Sequence, residues 1–537
     1  MTTPLDHDAI VIGSGFGGAV AACRLAQAGQ KVLVLERGRR WTPETYPRQP
    51  TDAWLWDQDE PQMFNGWIDL RTFSDMWVAA GAGVGGGSLI YANVSVEAKP
   101  AVFDSSWPQG IDHASLKPYY DRVGHMLGVQ ELPDNQLTAR FNLMKEAAQK
   151  CGWGDRFRKL PLAVSFDPNF DPEKAPARGD VHSKTFTNIH GVEQGTCVHC
   201  GNCDIGCQVK AKNTLDLNYL AVAEQHHAEI RPLHVVTKLE PLGGAGVLAP
   251  GGGWRVHFDQ IIDGERVAGS ATAQRVIVAA GSIGSTELLL RCRDEHATLP
   301  DLSPRLGKGW ACNGDFLTPA FYTDRKVSPS HGPTITCAID LLDGTVNQQA
   351  LFIEDGGMPN LAADFIRKRL ENLPLGRLNA FWTALGEHAS VQDPLANMMP
   401  WFGQAVDAGD GVLYLGRMLH APWRRTLRMN WNYEASEATI DSMIEVHKRL
   451  SEATGGKPVV PPTWTLAHNL VTPHPLGGCN MADSIEHGVV DGWGQVFGHP
   501  HLYVMDGAIL PRAIGLNPSR TIAALAERAV ERIVQQA

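Results

Sequence analysis

The stretch Asp8–Arg37, DAIVIGSGFGGAVAACRLAQAGQKVLVLER, carries the pattern that predicts the fold of this chain. Its first part, Ala9–Ile12, is a short apolar run, which is typical of a buried strand in a parallel sheet. A glycine-rich turn at Gly13–Gly18 separates this run from an alanine-rich segment of helical composition. A second predicted strand, Lys31–Leu35, then ends at an acidic residue. This order of elements predicts an α/β fold that begins with a Rossmann-like βαβ unit.

The three spaced glycines of this turn have separate physical roles. Gly13 permits the tight turn, Gly15 lets backbone approach a pyrophosphate, and Gly18 lets the helix pack close to the sheet. The helix N-terminus then faces the diphosphate, and Glu36 is placed to accept a hydrogen bond from a ribose hydroxyl. We therefore predict that this unit binds a dinucleotide, although the loop does not distinguish FAD from NAD. The predicted site also includes Phe16 and Arg37.

The composition is that of an ordinary globular protein of 537 residues, with 43% hydrophobic and 20% charged residues. This length suffices for two domains, or for one large domain with a lid. The net charge of -11 gives no electrostatic footprint for nucleic acid, and no run of about eighteen apolar residues predicts a transmembrane helix. The segment before Ala9 lacks the basic and apolar parts of a secretory signal. We therefore expect a cytoplasmic protein, with peripheral membrane association left open.

A second glycine-rich loop, AAGAGVGGGS, occupies Ala79–Ser88 and leads into Leu89–Asn93. Such a loop lets backbone N–H groups approach an anionic or planar ligand, because glycine has no side chain to keep that ligand away. No histidine occurs between Gly81 and Asn93. Two glycine-rich loops in one chain strengthen the prediction of a bound nucleotide cofactor.

The C-terminal segment Thr472–Ala537 carries a histidine and an asparagine on either side of a predicted strand. His474 stands between two prolines that stiffen its backbone, and Gly477-Gly478 leave room for a ligand. Asn517 precedes Pro518, which restricts its backbone and helps to aim its amide. Flavin-dependent oxidation of an alcohol needs a base for the hydroxyl proton, for which histidine is suited. It also needs a second polar group that holds the substrate oxygen.

These motifs together resemble the glucose-methanol-choline (GMC) flavin oxidoreductases, and the loop at residues 79–93 resembles their bacterial cholesterol oxidase-like branch. The resemblance implies a Rossmann-like FAD-binding domain with a second substrate domain of mixed sheet plus helices. It also implies non-covalent FAD, because relatives with covalent flavin attach it through a histidine near this loop. The resemblance covers almost the whole chain and is best at residues 8–37, 79–93, 195–220, 275–290 and 470–530.

The resemblance also implies roles for individual residues. His474 is the implied catalytic base, and Asn517 is its partner that orients the substrate oxygen. The residues implied to lie near the isoalloxazine ring are Gly85, Gly86, Ser88 and Asn93. The other residues implied to contact FAD are Val236, Ala280, Gly281, Asp506, Gly507, Pro518 and Ser519.

The same resemblance divides the chain into five segments. The FAD-binding domain comprises residues 1–125, 195–315 and 461–537, and the substrate domain comprises a lid segment at 126–194 and residues 316–460. In the substrate domain, Met398, Met399, Trp401 and Phe402 fit either an apolar pocket or the core. Glu354 lies roughly where cholesterol oxidases keep a carboxylate near the substrate, but the local match assigns it no role.

Four of the ten cysteines form the cluster Cys197-Val-His-Cys200-Gly-Asn-Cys203-Asp-Ile-Gly-Cys207. This C-x2-C-x2-C-x3-C spacing is that of bacterial ferredoxins and predicts an iron–sulfur cluster. Gln208 follows where ferredoxins have proline, and a three-iron cluster fits as well as a four-iron cluster. Structural zinc and reduced or disulfide-linked cysteines are the alternatives. His199 fits a loop histidine better than a metal ligand.

The predicted activity is FAD-dependent oxidation of an alcohol to a ketone or aldehyde. The resemblance implies a bulky, hydrophobic, sterol-like or alicyclic substrate. The cysteines favour a dehydrogenase that passes electrons through the cluster to a cytochrome, a ferredoxin or a quinone. The alternatives are an oxidase that uses oxygen without a cluster, a flavin-dependent lyase or photodecarboxylase, and a non-enzymatic electron-transfer or binding module.

Overall fold

The computed structural model describes residues 4–536 except 172–181, 244–251, 360, 362–394, 418–423, 462–463 and 466–467. Parts of the predicted lid segment 126–194 and of the predicted substrate segment 316–460 therefore lie outside the described residues. Every predicted site residue lies within them. The α-helices are α1 Phe16–Gln27, α2 His113–Met126, α3 Ala139–Lys150, α4 Tyr219–Gln225, α5 Gly281–Asp294, α6 Tyr433–Ala453 and α7 Ser519–Gln535.

The strands are short in the N-terminal half and longer around the middle of the chain. They are β1 His7–Ile12, β2 Val32–Leu35, β3 Leu55–Trp56, β4 Ile68–Thr72, β5 Met76–Gly81, β6 Gln130–Glu131, β7 Phe157–Lys159, β8 Pro161–Leu162, β9 Phe186–Thr187, β10 Glu193–Gln194, β11 Glu229–Arg231, β12 His234–Pro241, β13 Trp254–Ile262, β14 Glu265–Val278, β15 Lys308–Trp310, β16 Phe316–Phe321, β17 Cys337–Val346, β18 Gln349–Asp355, β19 Met398–Ala405, β20 Gly411–Arg417, β21 Arg425–Asn430, β22 Lys457–Pro458, β23 Leu470–Thr472 and β24 Leu502–Val504.

A seven-stranded sheet contains the predicted βαβ unit, in the order β11-β2-β1-β14-β13-β12, with β24 also paired to β14. Strands β11, β2, β1 and β24 run parallel to one another and to the last part of β14. Strands β12, β13 and the first part of β14 form an antiparallel meander. Residues Ala9–Ile12 of β1 and all four residues of β2 are buried, as their uninterrupted apolar sequences predict.

Helices from distant parts of the sequence pack together behind this sheet. The buried Glu527 of α7 accepts hydrogen bonds from Arg24 of α1, with an N–O distance of 2.7 Å, and from the Tyr219 hydroxyl of α4 at 2.8 Å. Because a buried carboxylate needs partners for its charge, this trio holds the first and last helices in one register. The nucleotide-binding part of the fold is therefore made from both ends of the chain.

A six-stranded antiparallel sheet, in the order β22-β16-β19-β18-β17-β7, forms the second large layer. Helices α3 and α6 pack against it. Its core includes Met398, Met399 and Trp401, which are at most 2% exposed, so these three residues belong to the core and not to a pocket. His447 of α6 is also fully buried, with Nδ1 3.0 Å from the hydroxyl oxygen of Thr318.

A smaller sheet in the order β23-β5-β4-β3 connects the two large layers. Strands β5 and β23 run parallel, and both end at the same edge. β5 leads into the second glycine-rich loop, and β23 ends two residues before His474. The sheet thus brings this loop and the predicted catalytic histidine to one place. No helix among the described residues is long and apolar enough to cross a membrane.

Candidate active site

A cavity of about 770 Å³ lies where the three sheets meet. Both predicted catalytic residues, His474 and Asn517, line it, although they are far apart in the sequence. Of the predicted cofactor-binding residues, those that line the same cavity are Gly13, Gly15, Phe16, Glu36, Arg37, Gly86, Val236, Ala280, Gly281, Asp506, Gly507, Pro518 and Ser519. The cavity therefore gathers residues from both glycine-rich loops and from the C-terminal segment, whereas none of the four clustered cysteines lines it.

Four predicted cofactor residues do not line the cavity and lie behind its wall. A Cβ atom at Gly18 would lie 2.1 Å from the Gly13 carbonyl oxygen, so Gly18 serves the close approach of α1 to the turn. Ser88 donates its hydroxyl to the Gly85 carbonyl at 2.7 Å and thereby stabilises the second glycine-rich loop. Asn93 is fully buried, and its side-chain nitrogen and oxygen have no hydrogen-bond partner among the described residues.

The two glycine-rich loops contact each other at the floor of the cavity. The Gly85 N–H donates to the Ser14 hydroxyl oxygen at 3.0 Å. A Cβ atom at Gly86 would lie 2.7 Å from the Gly15 Cα, and Gly86 has φ +51°. This approach therefore requires glycine. The contact fixes the two loops as one backbone surface that faces the cavity.

Glu36 and Asp506 are both buried, and the chain satisfies both carboxylates. Glu36 accepts from the Ser14 N–H at 3.1 Å, the Ser14 hydroxyl at 2.6 Å and the Gly38 N–H at 2.9 Å. Asp506 accepts from the Gly281 N–H at 2.8 Å, the Ser285 hydroxyl at 2.5 Å and the Ala508 N–H at 2.8 Å. Burial raises the pKa of Asp506 to about 6, and these donors oppose the rise.

Three helices begin at the cavity without a side-chain cap. Gly15, Ala280 and Pro518 are the N-cap residues of α1, α5 and α7, none of them accepts a capping hydrogen bond with its side chain, and all three line the cavity. Each of these N-termini presents the positive end of a helix dipole, although the first N–H of α5, at Gly281, already donates to Asp506 at 2.8 Å. The cavity can therefore take a ligand that is anionic at more than one point, such as a dinucleotide diphosphate.

The residues present fit an FAD molecule. Open backbone at Gly15 and Gly281, where no atom outside the adjacent residues lies closer than 4.0 Å to a built Cβ, leaves room for its diphosphate. Asn517 is 5% exposed, and its Oδ1 atom has no partner among the described residues. A buried polar atom of this kind normally has a partner in the working state. A bound ligand in the cavity would supply it.

His474 is held by hydrogen bonds at both its backbone and its ring. Its N–H donates to the Thr472 hydroxyl oxygen at 2.9 Å. Its Nδ1 atom lies 2.9 and 3.1 Å from the two carboxylate oxygens of Asp315. The ring's Nδ1 is thus occupied, so the remaining ring nitrogen, Nε2, is available to a ligand in the cavity.

Asn517, which lines the same cavity, belongs to a second buried polar group. Its Nδ2 atom lies 3.5 Å from an oxygen of Glu354, and Gln404 donates to the same oxygen at 3.3 Å. Glu354 is fully buried, and desolvation raises its pKa well above the usual value. The second oxygen of Glu354 and the Gln404 Oε1 atom have no partner among the described residues.

Asp315, Thr472 and Glu354 are site residues to which the sequence analysis assigned no role. Asp315 closes the turn Asn313-Gly314-Asp315, and such a turn is typical of loops as well as of sites. Glu354 follows the apolar run Leu351–Ile353 on a strand. An acid at the end of a buried strand was a signal that deserved more weight, because a buried acid needs a reason.

The rest of the cavity wall comes from the antiparallel sheet and its loops. Apolar side chains in this wall come from Leu317, Ile335 and Phe402. Of the four candidate pocket residues of the substrate domain, only Phe402 lines the cavity. Arg140 of α3 is fully buried and holds this wall. Its guanidinium donates to the carbonyls of Pro333 at 2.7 Å and of Thr334, Gly356 and nearby residues, and it pairs with Asp355 at 3.2 Å.

The four clustered cysteines surround a separate small cavity of about 20 Å³. Burial raises the pKa of the Cys200 thiol to about 12 and that of Cys197 well above its usual value. In the described ranges, no three His, Cys, Asp or Glu side chains are arranged as a metal site requires. His199 does not line this cavity, and its Nε2 lies 2.9 Å from the Gln136 side chain.

The cysteine loop also touches the large cavity. Asp204, the neighbour of Cys203, lines the large cavity, and burial raises the pKa of Asp204 to about 6. Lys212 lines the small cavity, and its Nζ donates to the Cys203 carbonyl at 2.7 Å and to the Leu89 carbonyl at 2.9 Å. The cysteine loop therefore contributes residues to the walls of both cavities.

Comparison with known proteins agrees with this architecture. A profile of an NAD(P)-binding Rossmann-like domain matches residues 11–58, and a GMC oxidoreductase profile matches residues 417–526. A solved pyridoxine 4-oxidase from Mesorbium loti superposes with a TM-score of 0.63 over 98% of both chains, at 16% identity. A fungal aryl-alcohol oxidase gives 0.59 over 99% of this chain and 100% of its own, at 15% identity. These two likenesses concern the fold.

Two relatives named cholesterol oxidase extend over nearly the whole sequence. The one from Acinetobacter baumannii is 30% identical over 98% of this chain and 94% of its own length. The one from Mycobacterium tuberculosis (strain H37Rv) is 33% identical over 98% of this chain and 90% of its own. The predicted family and fold class are thereby confirmed. The chain belongs to the GMC oxidoreductase family of FAD-dependent enzymes that act on alcohols, in its cholesterol oxidase-like branch.

Proposed function

We propose that this protein oxidises a hydroxyl group of a bulky, hydrophobic alcohol to a ketone or aldehyde, with non-covalent FAD as the oxidant. The observation that carries the proposal is that His474 and Asn517 line the same cavity as the glycine-rich loops and the three uncapped helix N-termini. FAD bound there would supply the two-electron oxidant that accepts hydride from the carbinol carbon. The residues of the chain supply binding, orientation and proton transfer.

His474 acts as the base in this proposal. Its Nδ1 is engaged by Asp315, so Nε2 is the nitrogen that accepts the hydroxyl proton of the substrate. Asn517, which lines the same cavity, holds the substrate oxygen through its amide, which fixes the direction of the C–H bond. Glu354 and Gln404 support Asn517 through their hydrogen bonds.

The substrate class follows from the wall of the cavity. Leu317, Ile335 and Phe402 give an apolar surface near the proposed base. Burial of an apolar substrate surface stabilises binding by about 25 cal/mol per Å², so a large alicyclic alcohol gains more than a small polar one. The names of the relatives at 30–33% identity point to the same sterol-like class.

We also propose that the four thiols of the cysteine loop move from the arrangement described above to bind an iron–sulfur cluster, with three or four irons, that serves as electron acceptor. Cys197, Cys200, Cys203 and Cys207 line one cavity, and their spacing is that of ferredoxins. Such a cluster would pass electrons to a cytochrome, a ferredoxin or a quinone. Oxygen is the competing acceptor, and the names of the relatives, which are oxidases, favour it.

The first test is anaerobic reduction of the bound flavin by a panel of sterols, alicyclic alcohols and short polar alcohols. The hydrophobic secondary alcohols should bleach the FAD absorbance fastest, whereas a lyase would show no bleaching. His474→Gln should slow the bleaching by at least about 100-fold with FAD retained. His447→Gln is the matched control, because His447 is buried away from the cavity. Bleaching at the wild-type rate in His474→Gln would contradict the proposed base.

The acceptor is decided by a separate experiment. Protein purified without oxygen is analysed for iron and sulfide, and its electron paramagnetic resonance spectrum is recorded after reduction. The cluster predicts iron in the wild type that is lost in Cys203→Ser and kept in Cys151→Ser, a buried cysteine far from the loop in sequence. Iron-free wild type that forms hydrogen peroxide during turnover would establish the oxidase instead.

A further inference from the structure

The turn Asn313-Gly314-Asp315, between β15 and β16, contacts both catalytic segments. Asn313 is fully buried and Asp315 is 1% exposed, so neither polar side chain serves as surface. Polar groups at such positions need internal partners. Their partners are the segment that carries His474 and the segment that carries Asn517.

Asp315 holds the histidine side. One of its oxygens lies 2.9 Å from His474 Nδ1, and the other accepts from the Thr472 hydroxyl at 2.6 Å. That hydroxyl in turn accepts from the His474 N–H at 2.9 Å and lies 3.0 Å from the Cys312 carbonyl. The carboxylate, the hydroxyl and the imidazole therefore form a closed ring of contacts that fixes the rotation of the imidazole.

Asn313 holds the asparagine side. Its Oδ1 accepts from the N–H groups of Ile514 and Gly515 at 3.1 and 2.9 Å. Its Nδ2 donates to the Leu516 carbonyl at 3.0 Å. Three of the four hydrogen bonds that the Asn313 side chain can make are thus made with the residues that immediately precede Asn517.

Close packing holds the turn itself in place. Asn313 and Gly314 both have left-handed backbone, with φ +56° and +62°. A Cβ atom at Gly314 would lie 2.6 Å from the Ala405 Cβ and 2.8 Å from the Ala405 nitrogen. The Ala405 N–H donates to the Asn313 carbonyl at 3.0 Å. The turn therefore packs directly on β19 and has little room to move.

We propose that this turn is the positioning element of the active site, in which Asp315 sets the tautomer of His474 and Asn313 sets the place of Asn517. With Nδ1–H donated to Asp315, Nε2 is bare and faces the cavity. When the substrate O–H bond breaks and the Nε2–H bond forms, the positive imidazolium lies beside the carboxylate. The proton stays on His474, and Asp315 remains unprotonated. This inference rests on the proposed role of His474 as base.

Asp315→Asn tests the inference through the pH dependence of anaerobic flavin reduction. The plateau rate constant should fall between about 100- and 10,000-fold. The acid limb of the pH–rate profile should move to lower pH, because the negative charge beside the ring is gone. The other titratable groups near Asp315 are Glu354, Cys312 and Asp407, and burial raises the pKa of each of them.

Asp315→Glu and Asn313→Ala are the companion variants. Asp315→Glu keeps the charge, so its plateau should fall while its acid limb stays in place. Asn313→Ala should lower the rate constant about 10-fold, also with the acid limb unmoved, because it loosens only the Asn517 side. An acid limb of Asp315→Asn that coincides with the wild type would overturn the inference, even if the rate fell.

A second readout does not depend on turnover. Protein with ¹⁵N-labelled histidine rings is compared with His474→Gln to identify the His474 signals. The wild type should show a protonated Nδ1 and a bare Nε2, and Asp315→Asn should change this pattern. An unchanged pattern would overturn the inference. If His474→Gln reduces flavin at the wild-type rate, the proposed function fails, and this ring assignment still reports on Asp315.

Discussion

Two buried acids at the two ends of the large cavity, Asp506 and Glu354, differ in how many of their hydrogen bonds the chain supplies. At the nucleotide end, around the glycine-rich loops, Asp506 accepts three hydrogen bonds from the chain. At the substrate end, around Asn517, one oxygen of Glu354 has no partner among the described residues. An acid whose bonds are all made within the chain supports the fold, whereas an unmade bond marks a place where a ligand is expected. Substitutions at the two ends should therefore separate stability from activity.

The largest effect should come from breaking the backbone contact at the nucleotide end. A Cβ atom at Gly17 would lie 1.5 Å from the Met505 carbonyl oxygen, and backbone cannot withdraw as a side chain can. We expect Gly17→Ala to lose bound FAD and to unfold at a much lower temperature. Its free energy of unfolding should fall by about 4 kcal/mol or more. Thermal unfolding and the flavin-to-protein absorbance ratio measure this. Gly154→Ala, whose Cβ meets its nearest neighbour at 3.6 Å, is the control and should behave as wild type.

Asp506→Asn should give the next largest effect. An amide has one oxygen and brings two N–H donors, so it cannot accept all the hydrogen bonds that Gly281, Ser285 and Ala508 now donate. The expected loss of stability is about 2–4 kcal/mol, with weaker FAD retention. Denaturant unfolding with and without added FAD tests it. Wild-type stability in this variant would remove the contrast between the two ends.

Glu354→Gln should make the folded protein more stable than the wild type at high pH, whereas Asp506→Asn should make it less stable. The pKa of Glu354 is raised in the folded state, so the folded protein binds more protons than the unfolded chain above pH 4.5. The wild type therefore loses stability as pH rises, by up to about 1.4 kcal/mol per pH unit, and Glu354→Gln does not. Unfolding curves at pH 5 and pH 8 should show that the free energy of unfolding of the variant, relative to that of the wild type, is higher at pH 8 than at pH 5.

Activity is the second measurement on Glu354→Gln. Flavin reduction by the best alcohol should fall about 10-fold or more with FAD content unchanged, because the support for Asn517 is altered. Full activity together with higher stability at pH 8 would mean that the unmade bonds at the substrate end have no role in turnover.

The smallest expected effect concerns His447 and has the opposite sign with pH. Burial lowers its pKa to about 3, so the unfolded chain binds a proton that the folded protein does not as pH falls below about 6.5. The wild type should lose about 1 kcal/mol or more between pH 6.5 and 5.5, and His447→Gln should lack this part of the slope. Melting temperatures across that range, with alcohol oxidation at pH 7.5 unchanged, check the prediction.

The nucleotide end was largely predictable because its physical demands are local. The strand, glycine turn, helix and acid of residues 8–37 are contiguous, and each glycine answers to a contact within the same unit or to the ligand. The prediction that Ser88 and Asn93 lie near the isoalloxazine ring came from the resemblance, and neither residue lines the cavity. The position of a residue in a glycine-rich loop does not determine whether its side chain lines the cavity.

The substrate end was much less predictable because its partners come from separate strands. Asp315 meets His474 only because the start of β16 lies beside the end of β23, and no local pattern contains both residues. Glu354 was noticed but given no role, since a single acid after an apolar strand has no period to support it. The four cysteines were recognised by spacing, yet spacing does not determine how the thiols are arranged around their small cavity.

Strand β14 gives the protein a particular order of assembly. It pairs with β1 near the start of the sequence and with β24 near its end, and α7 then packs against α1. Pairing between segments so distant in the sequence is slow, because chain entropy must be lost before the contacts between them form. The dinucleotide cradle therefore exists only after the segment that carries β24 and α7 has been synthesised, and flavin loading follows that point. Removing α7 would also remove part of the cavity wall, because Ser519 and Ile522 line the cavity.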